Sequence, residues 1–109
     1  MLMLLAMMLS LPVASDVKGV ELTDCSIEIL EGGRRLLKCS ARNDTSEHIK
    51  VLVLQICNSS RCAEEDIAID LPPRRSGEGT CAVPVEGEWL KVRAVRVGSV
   101  EEGDSDSSG

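Results

Sequence analysis

The sequence predicts a small all-β sandwich of about six or seven strands. Three observations carry that expectation. The run Ile49–Cys57 is nearly continuous in apolar side chains, rich in β-branched residues and too short for a buried helix. Such a run marks a central strand covered on both faces. Shorter runs of alternating polarity flank it on either side, and each can supply a neighbour to pair with it. Turn residues punctuate the chain at the spacing of six short strands.

Composition narrows the function classes. The chain has 109 residues, enough for one domain. All 12 Lys and Arg precede Gly98 together with 14 of the 18 acids, a net of −2, and the other four acids sit in the last nine residues. A near-neutral body without a basic stripe offers nucleic acid no electrostatic footprint. One Trp and no Phe or Tyr leave almost nothing for base stacking or an aromatic sugar platform. The core must therefore be built from Val, Ile, Leu and Ala, and cystines would help so small a core.

Residues 1–15 form an uncharged apolar block too short to span a bilayer as a helix. A Pro and the small residues Val13-Ala14-Ser15 then precede Asp16. This pattern is expected to be a signal peptide cleaved after Ser15, although it lacks a basic start. A sandwich domain over 16–98 follows. Its first strand region, 17–30, holds Val20 and Leu22 in one phase and Cys25, Ile27 and Ile29 in the other, so a bulge is expected at Thr23-Asp24. Glu31-Gly32-Gly33 is a turn, because Gly takes the positive φ that tight hairpins need. The second strand, 34–43, turns Leu37, Cys39 and Ala41 inward, and a polar loop over 44–48 leads into the central strand.

Asn58-Ser59-Ser60-Arg61 reads as a four-residue turn. Cys62–Leu71 then turns Ile67, Ile69 and Leu71 inward behind an acidic outer edge. Residues 72–79, opening Pro-Pro, read as a loop, since Pro cannot donate to a ladder. A strand over 80–85 puts Cys81, Val83 and Val85 on one face, and 89–97 is the last strand. Residues 99–109 are Ser, Asp, Glu and Gly with almost nothing apolar, a composition expected to be disordered.

Three stretches together carry a family resemblance. Leu37-Lys38-Cys39-Ser40-Ala41-Arg42-Asn43-Asp44-Thr45 is followed by the long apolar strand through Ile56, then by Leu71-Pro72-Pro73 and Ser76-Gly77-Glu78. This order resembles FxLYD-type and related immunoglobulin-like domains, with Gln55-Ile56-Cys57 standing where that family has Leu-Tyr-Asp. The resemblance implies an immunoglobulin-like sandwich and a non-catalytic extracellular module, and it would lay Cys81 beside Cys39.

Five cysteines are the main chemical signal. In an exported chain they read as cystines plus one left over. Cys57 and Cys62 flank the Asn58–Arg61 turn, where hairpin pairing would bring them face to face. Cys25 and Cys39 stand opposite each other, both seven residues from Gly32, yet opposed residues in neighbouring strands make strained bridges. One of Cys25, Cys39 and Cys81 is expected as a buried thiol, and their pairing stays open. Asn43-Asp44-Thr45 and Asn58-Ser59-Ser60 are glycosylation acceptors in turns.

No catalytic, cofactor or metal site is expected. The single His48 has no Cys within five residues, against the four ligands of a zinc site. No second His or Gly-x-Ser-x-Gly activates a serine. Glu64-Glu65-Asp66 with Asp70 lacks the spacing that wraps calcium and reads as a charged strand edge. Trp89 is either a core plug or an exposed contact residue. These readings lead to a secreted or cell-surface, non-enzymatic module whose partner is another protein, without nucleic acid and without a membrane span in the mature chain. The alternatives are a structural subunit of a surface layer, pilus or virion, joined through a sheet edge or an unpaired Cys, and a thiol-active protein using Cys57–Cys62.

Overall fold

The computed structural model describes residues 10–99. Residues 1–9 of the expected leader and 100–109 of the expected acidic tail lie outside the described residues. Among the described residues seven strands form the fold: β1 (Val13–Ser15), β2 (Val20–Ile29), β3 (Arg35–Asn43), β4 (Ile49–Cys57), β5 (Cys62–Leu71), β6 (Ser76–Ala82) and β7 (Lys91–Val97). They hydrogen-bond in the order β1-β7-β4-β5-β6-β3-β2, antiparallel throughout except for the parallel pair β1–β7. The β5–β6 join consists of two residue pairs, Ala68↔Thr80 and Ile69↔Gly79. On either side of that narrow join the strands face each other across one apolar core, so the architecture is an all-β sandwich that approaches a barrel. Val20, Leu22, Leu37, Leu54, Ile67 and Leu90 are among its buried members.

Most of the expected elements are present with their phases. The bulge in β2 falls between Leu22 and Asp24, where the register with β3 shifts. It lets Val20 and Leu22 point inward before the shift and Cys25 after it. Gly32 and Gly33 carry the β2–β3 connection with φ of 82° and 81°, in the left-handed region. Ile67, Ile69 and Leu71 of β5 are all buried.

The seventh strand of the expected six or seven is β1, which pairs Val13↔Val92 and Ser15↔Ala94 within the stretch read as leader. Three expectations are corrected. The 72–79 loop is shorter than expected, because Ser76–Ala82 is already strand. Gly77 and Gly79 allow this: a Cβ on either would collide with a β5 carbonyl, of Asp70 or of Ala68. Turn-formers in sequence are here close-approach residues. Ile29, placed inward by alternation, is 70% exposed, at the last position of β2 beside the hairpin turn. Finally, β4 is not covered equally on both faces. Leu52, Leu54 and Ile56 enter the core, whereas the Val51, Val53 and Gln55 side belongs to the outer surface. Val53 is nonetheless buried on that side, shielded by its ladder neighbours Asp66 and Arg96 and by Gly98.

Candidate functional site

The N-terminal segment and the outer edge of β7 form the most site-like part of the surface. Residues 10–17 alternate strictly in exposure, with Leu11, Val13, Ser15 and Val17 turned toward the protein. Leu11, Val13 and Val17 pack against the core. The backbone stitches this segment to both flanking elements. Val92 N–H donates to Pro12 O (3.1 Å) and Asp16 N–H to Ala94 O (2.8 Å), while Leu11 N–H donates to Cys25 O on β2 (2.9 Å). So the segment, the first strand in the order, closes the seam between β7 and β2. The Asp16 carboxylate finishes it with an ion pair to Arg93 Nη1 at 2.9 Å.

At the entry of that seam lies an open groove of about 550 Å³, lined in part by Leu11, Pro12, Asn58, Trp89, Leu90 and Lys91. Trp89 is 82% exposed there, which settles its role as a surface residue rather than a core plug. β7 begins only at Lys91, so Trp89 lies in the loop before it and escapes the inward phase. Arg35 holds this loop from below, its Nη2 donating to Val85 O (2.7 Å) and its Nη1 to Gly87 O. The only aromatic side chain of the protein is thus displayed on an anchored loop.

The cysteines resolve into two bridges and one thiol. Cys57–Cys62 spans the hairpin turn as expected, and Cys25–Cys39 is also bonded. The expectation that opposed positions disfavour a bridge is corrected for Cys25–Cys39. Its Cα atoms lie 4.1 Å apart, near the ~4.5 Å of the closer pairs of an antiparallel ladder, so the sulfur atoms are within bonding reach. Cys81 is free and buried, opposite Leu37 on β3. Desolvation, with the nearby Glu65 carboxylate adding to it, pushes its thiol up to about 12. A thiol held protonated is a poor nucleophile.

Asn43 is fully buried, a role its sequence position did not reveal. Its Nδ2 donates to Glu47 O (2.7 Å) and Leu71 O (2.9 Å), and its Oδ1 accepts from Thr45 N–H and Oγ1–H. The Asn-x-Thr spacing that reads as a glycosylation acceptor serves here as a buried turn lock. Asn58, the other acceptor, sits at the half-exposed turn, where its Oδ1 takes the N–H groups of Ser60 and Arg61 and its Nδ2 donates to Glu86 O.

The acidic residues of β5 are dispersed among separate partners. Glu64 pairs with Arg96 (2.7 Å), which holds its carboxyl below the usual glutamate range through a hydrogen bond. Asp70 lies 2.6 Å from His48 Nε2, on the exposed surface. Among the described residues no cluster of three or more His, Cys, Asp or Glu is placed to hold a metal ion, and no helix is long and apolar enough to cross a membrane. Comparison with protein families, with curated proteins and with solved structures finds no match.

Proposed function

We propose that the protein is a secreted or cell-surface immunoglobulin-like module, without enzymatic activity, that acts in protein–protein interaction or assembly. The observation that carries this reading is Trp89, 82% exposed on a loop pinned by Arg35 and bordering a groove that Leu90 helps to line. A rigidly presented Trp beside an apolar recess is the kind of residue that anchors protein interfaces. The two disulfides and the small all-β core fit a domain used outside the reducing cytosol.

The test is purification of the native protein from culture medium or cell envelope, with its bound partner identified. Wild type is expected in a defined complex, and Trp89→Ala is expected to lose that partner while keeping its fold. Recovery of a monomer alone from both fractions would sink the reading.

One observation favours a structural subunit as the second reading. β7 has seven residues, and β1 pairs with three of them, leaving 91 and 95–97 without a strand partner on that side among the described residues. A ladder of multimers on gels would support that reading. Its persistence without reductant only would point to Cys81, and its persistence in reductant to a sheet edge.

A further inference from the structure

The strand that closes the β7 seam lies wholly within the segment expected to be removed on export. Hydrolysis of the Ser15–Asp16 peptide bond would leave a carboxylate on Ser15 and an ammonium group on Asp16. Loss of the segment would take Leu11 and Val13 out of the core seam and Pro12 O away from Val92 N–H. It would open an apolar slot with a ladder edge along 91–94. Asp16, whose nitrogen donates to Ala94 O and whose carboxylate pairs with Arg93, would then stand at the end of that slot.

We propose that this slot is a strand-accepting site for the C-terminal segment of a partner polypeptide, which runs parallel to β7 and ends against the Asp16 ammonium. The inference rests on the exported-module reading and names the class of partner. Three features define the occupant. Apolar side chains two residues apart replace Leu11 and Val13, since strand side chains alternate between faces. A small residue takes the half-buried position of Ser15, and a carbonyl takes that of Pro12 opposite Val92 N–H. The occupant ends there because Asp16 holds the next ladder position; its terminal carboxylate meets the new ammonium. Main-chain pairing with alternate side chains in pockets is an established mode of peptide capture. Upstream, the occupant's path leads along the groove beside Trp89. The chain's own residues 99–109 contain Val100 as their single apolar side chain, so neither they nor those of a second copy supply the pattern.

The experiment uses protein secreted by cells expressing the whole reading frame. Its N-terminus is read by intact mass, and its binding is followed by fluorescence anisotropy. The probe is the labelled octapeptide Met-Leu-Ser-Leu-Pro-Val-Ala-Ser, prepared as free acid, as C-terminal amide, and with Asp replacing both its second Leu and its Val. The expected result is a mature chain beginning at Asp16 that binds the free acid, with NMR shifts at the Val92 and Ala94 amides. The Asp peptide should bind at least about tenfold more weakly, having lost two partly buried apolar side chains for charged ones. The amide should also bind more weakly. If the secreted chain is isolated unfolded, its refolding yield with and without the free acid becomes the readout, and a gain confined to that peptide supports the site. A mature N-terminus at or before Ser10, equal binding or refolding with all three peptides, or shifts away from β7 would overturn it. A native complex with the β7 amides unperturbed overturns the strand site alone. A chain retained inside cells with Met1 in place overturns the module reading as well.

Discussion

Asn43 Nδ2 donates a hydrogen bond to the carbonyl oxygen of Leu71 at 2.9 Å, tying the end of β3 to the end of β5. The same amide group binds Glu47 O, and its oxygen receives both donors of Thr45. One buried side chain therefore fixes the turn into β4 and the exit from β5 together. Its backbone N–H adds a third tie, to Arg75 O at 2.8 Å.

Asn43→Ala is expected to lower stability by about 2–3 kcal/mol, since it leaves a buried carbonyl without its donor. Urea unfolding followed by far-UV circular dichroism measures it. Thr45→Val, which removes the hydroxyl that donates to Asn43 Oδ1 and accepts from Glu47 N–H, should cost about 1 kcal/mol. The same geometry predicts that folded, exported protein carries no glycan on Asn43, and glycopeptide mapping reads that directly.

The two bridges should differ in worth. Replacing Cys57 and Cys62 by Ser should cost about 2 kcal/mol, the chain-entropy value for so short a loop. Replacing Cys25 and Cys39 by Ala should cost about 3 kcal/mol from the longer loop, with a further loss from the buried volume removed. Disulfide mapping under non-reducing digestion checks the pairs, and denaturant midpoints check the order.

Much of this arrangement was legible in the sequence, and the reasons are local. Leu37, Cys39 and Ala41, or Ile67, Ile69 and Leu71, alternate cleanly because one face of each strand meets the core. The Thr23-Asp24 phase change gave the bulge for the same reason. What escaped depends on contacts distant in sequence. Gly77 and Gly79 look like turn residues until β5 is seen to press on them. Asn43 looks like a surface acceptor until Leu71 is brought to it. The alternation Leu11-x-Val13-x-Ser15-x-Val17 was visible, but its pairing with β7 depends on Val92 and Ala94, far along the chain.

Cys81 gives a pH prediction. An unfolded-chain thiol ionises near ~8.5, whereas the folded one is pushed up to about 12 by burial and Glu65. Between those values the unfolded state binds fewer protons, so this group makes stability fall as pH rises. Denaturant midpoints should decline more steeply above about pH 8.5 in wild type than in Cys81→Ala. In native protein the thiol should react with iodoacetamide only as fast as the fold opens.

Glu64 works in the opposite direction. Its carboxyl is held below the usual range by the Arg96 hydrogen bond, so the linked stability is present above the unfolded-state pKa and is lost as pH falls through the folded one. An NMR titration of the Glu64 side chain should show a midpoint below the ordinary glutamate value, and Arg96→Ala should restore it. The pair is exposed, so Arg96→Ala should leave the denaturant midpoint at neutral pH close to that of wild type.

Gly79→Ala tests how the two halves of the sandwich are joined. Gly79 pairs with Ile69 on one side and with Cys39 on the other, at the narrow β5–β6 contact. A Cβ there would strike the carbonyl oxygen of Ala68 and come within 3.1 Å of Ile67 Cγ1 and 3.2 Å of Ile69 Cβ. The main obstacle is backbone, which cannot rotate aside as a flexible side chain does. Relief requires β5 to move from β6, and only two residue pairs hold them together. The substitution should therefore cost about 1–3 kcal/mol, the range for overfilling a packed interior. Glu78→Ala, one residue away with an exposed side chain, should stay within about 0.5 kcal/mol. Urea unfolding of both variants decides it. A Gly79→Ala protein as stable as the Glu78→Ala control would mean that β5 and β6 do not approach as closely as the β5–β6 pairing requires.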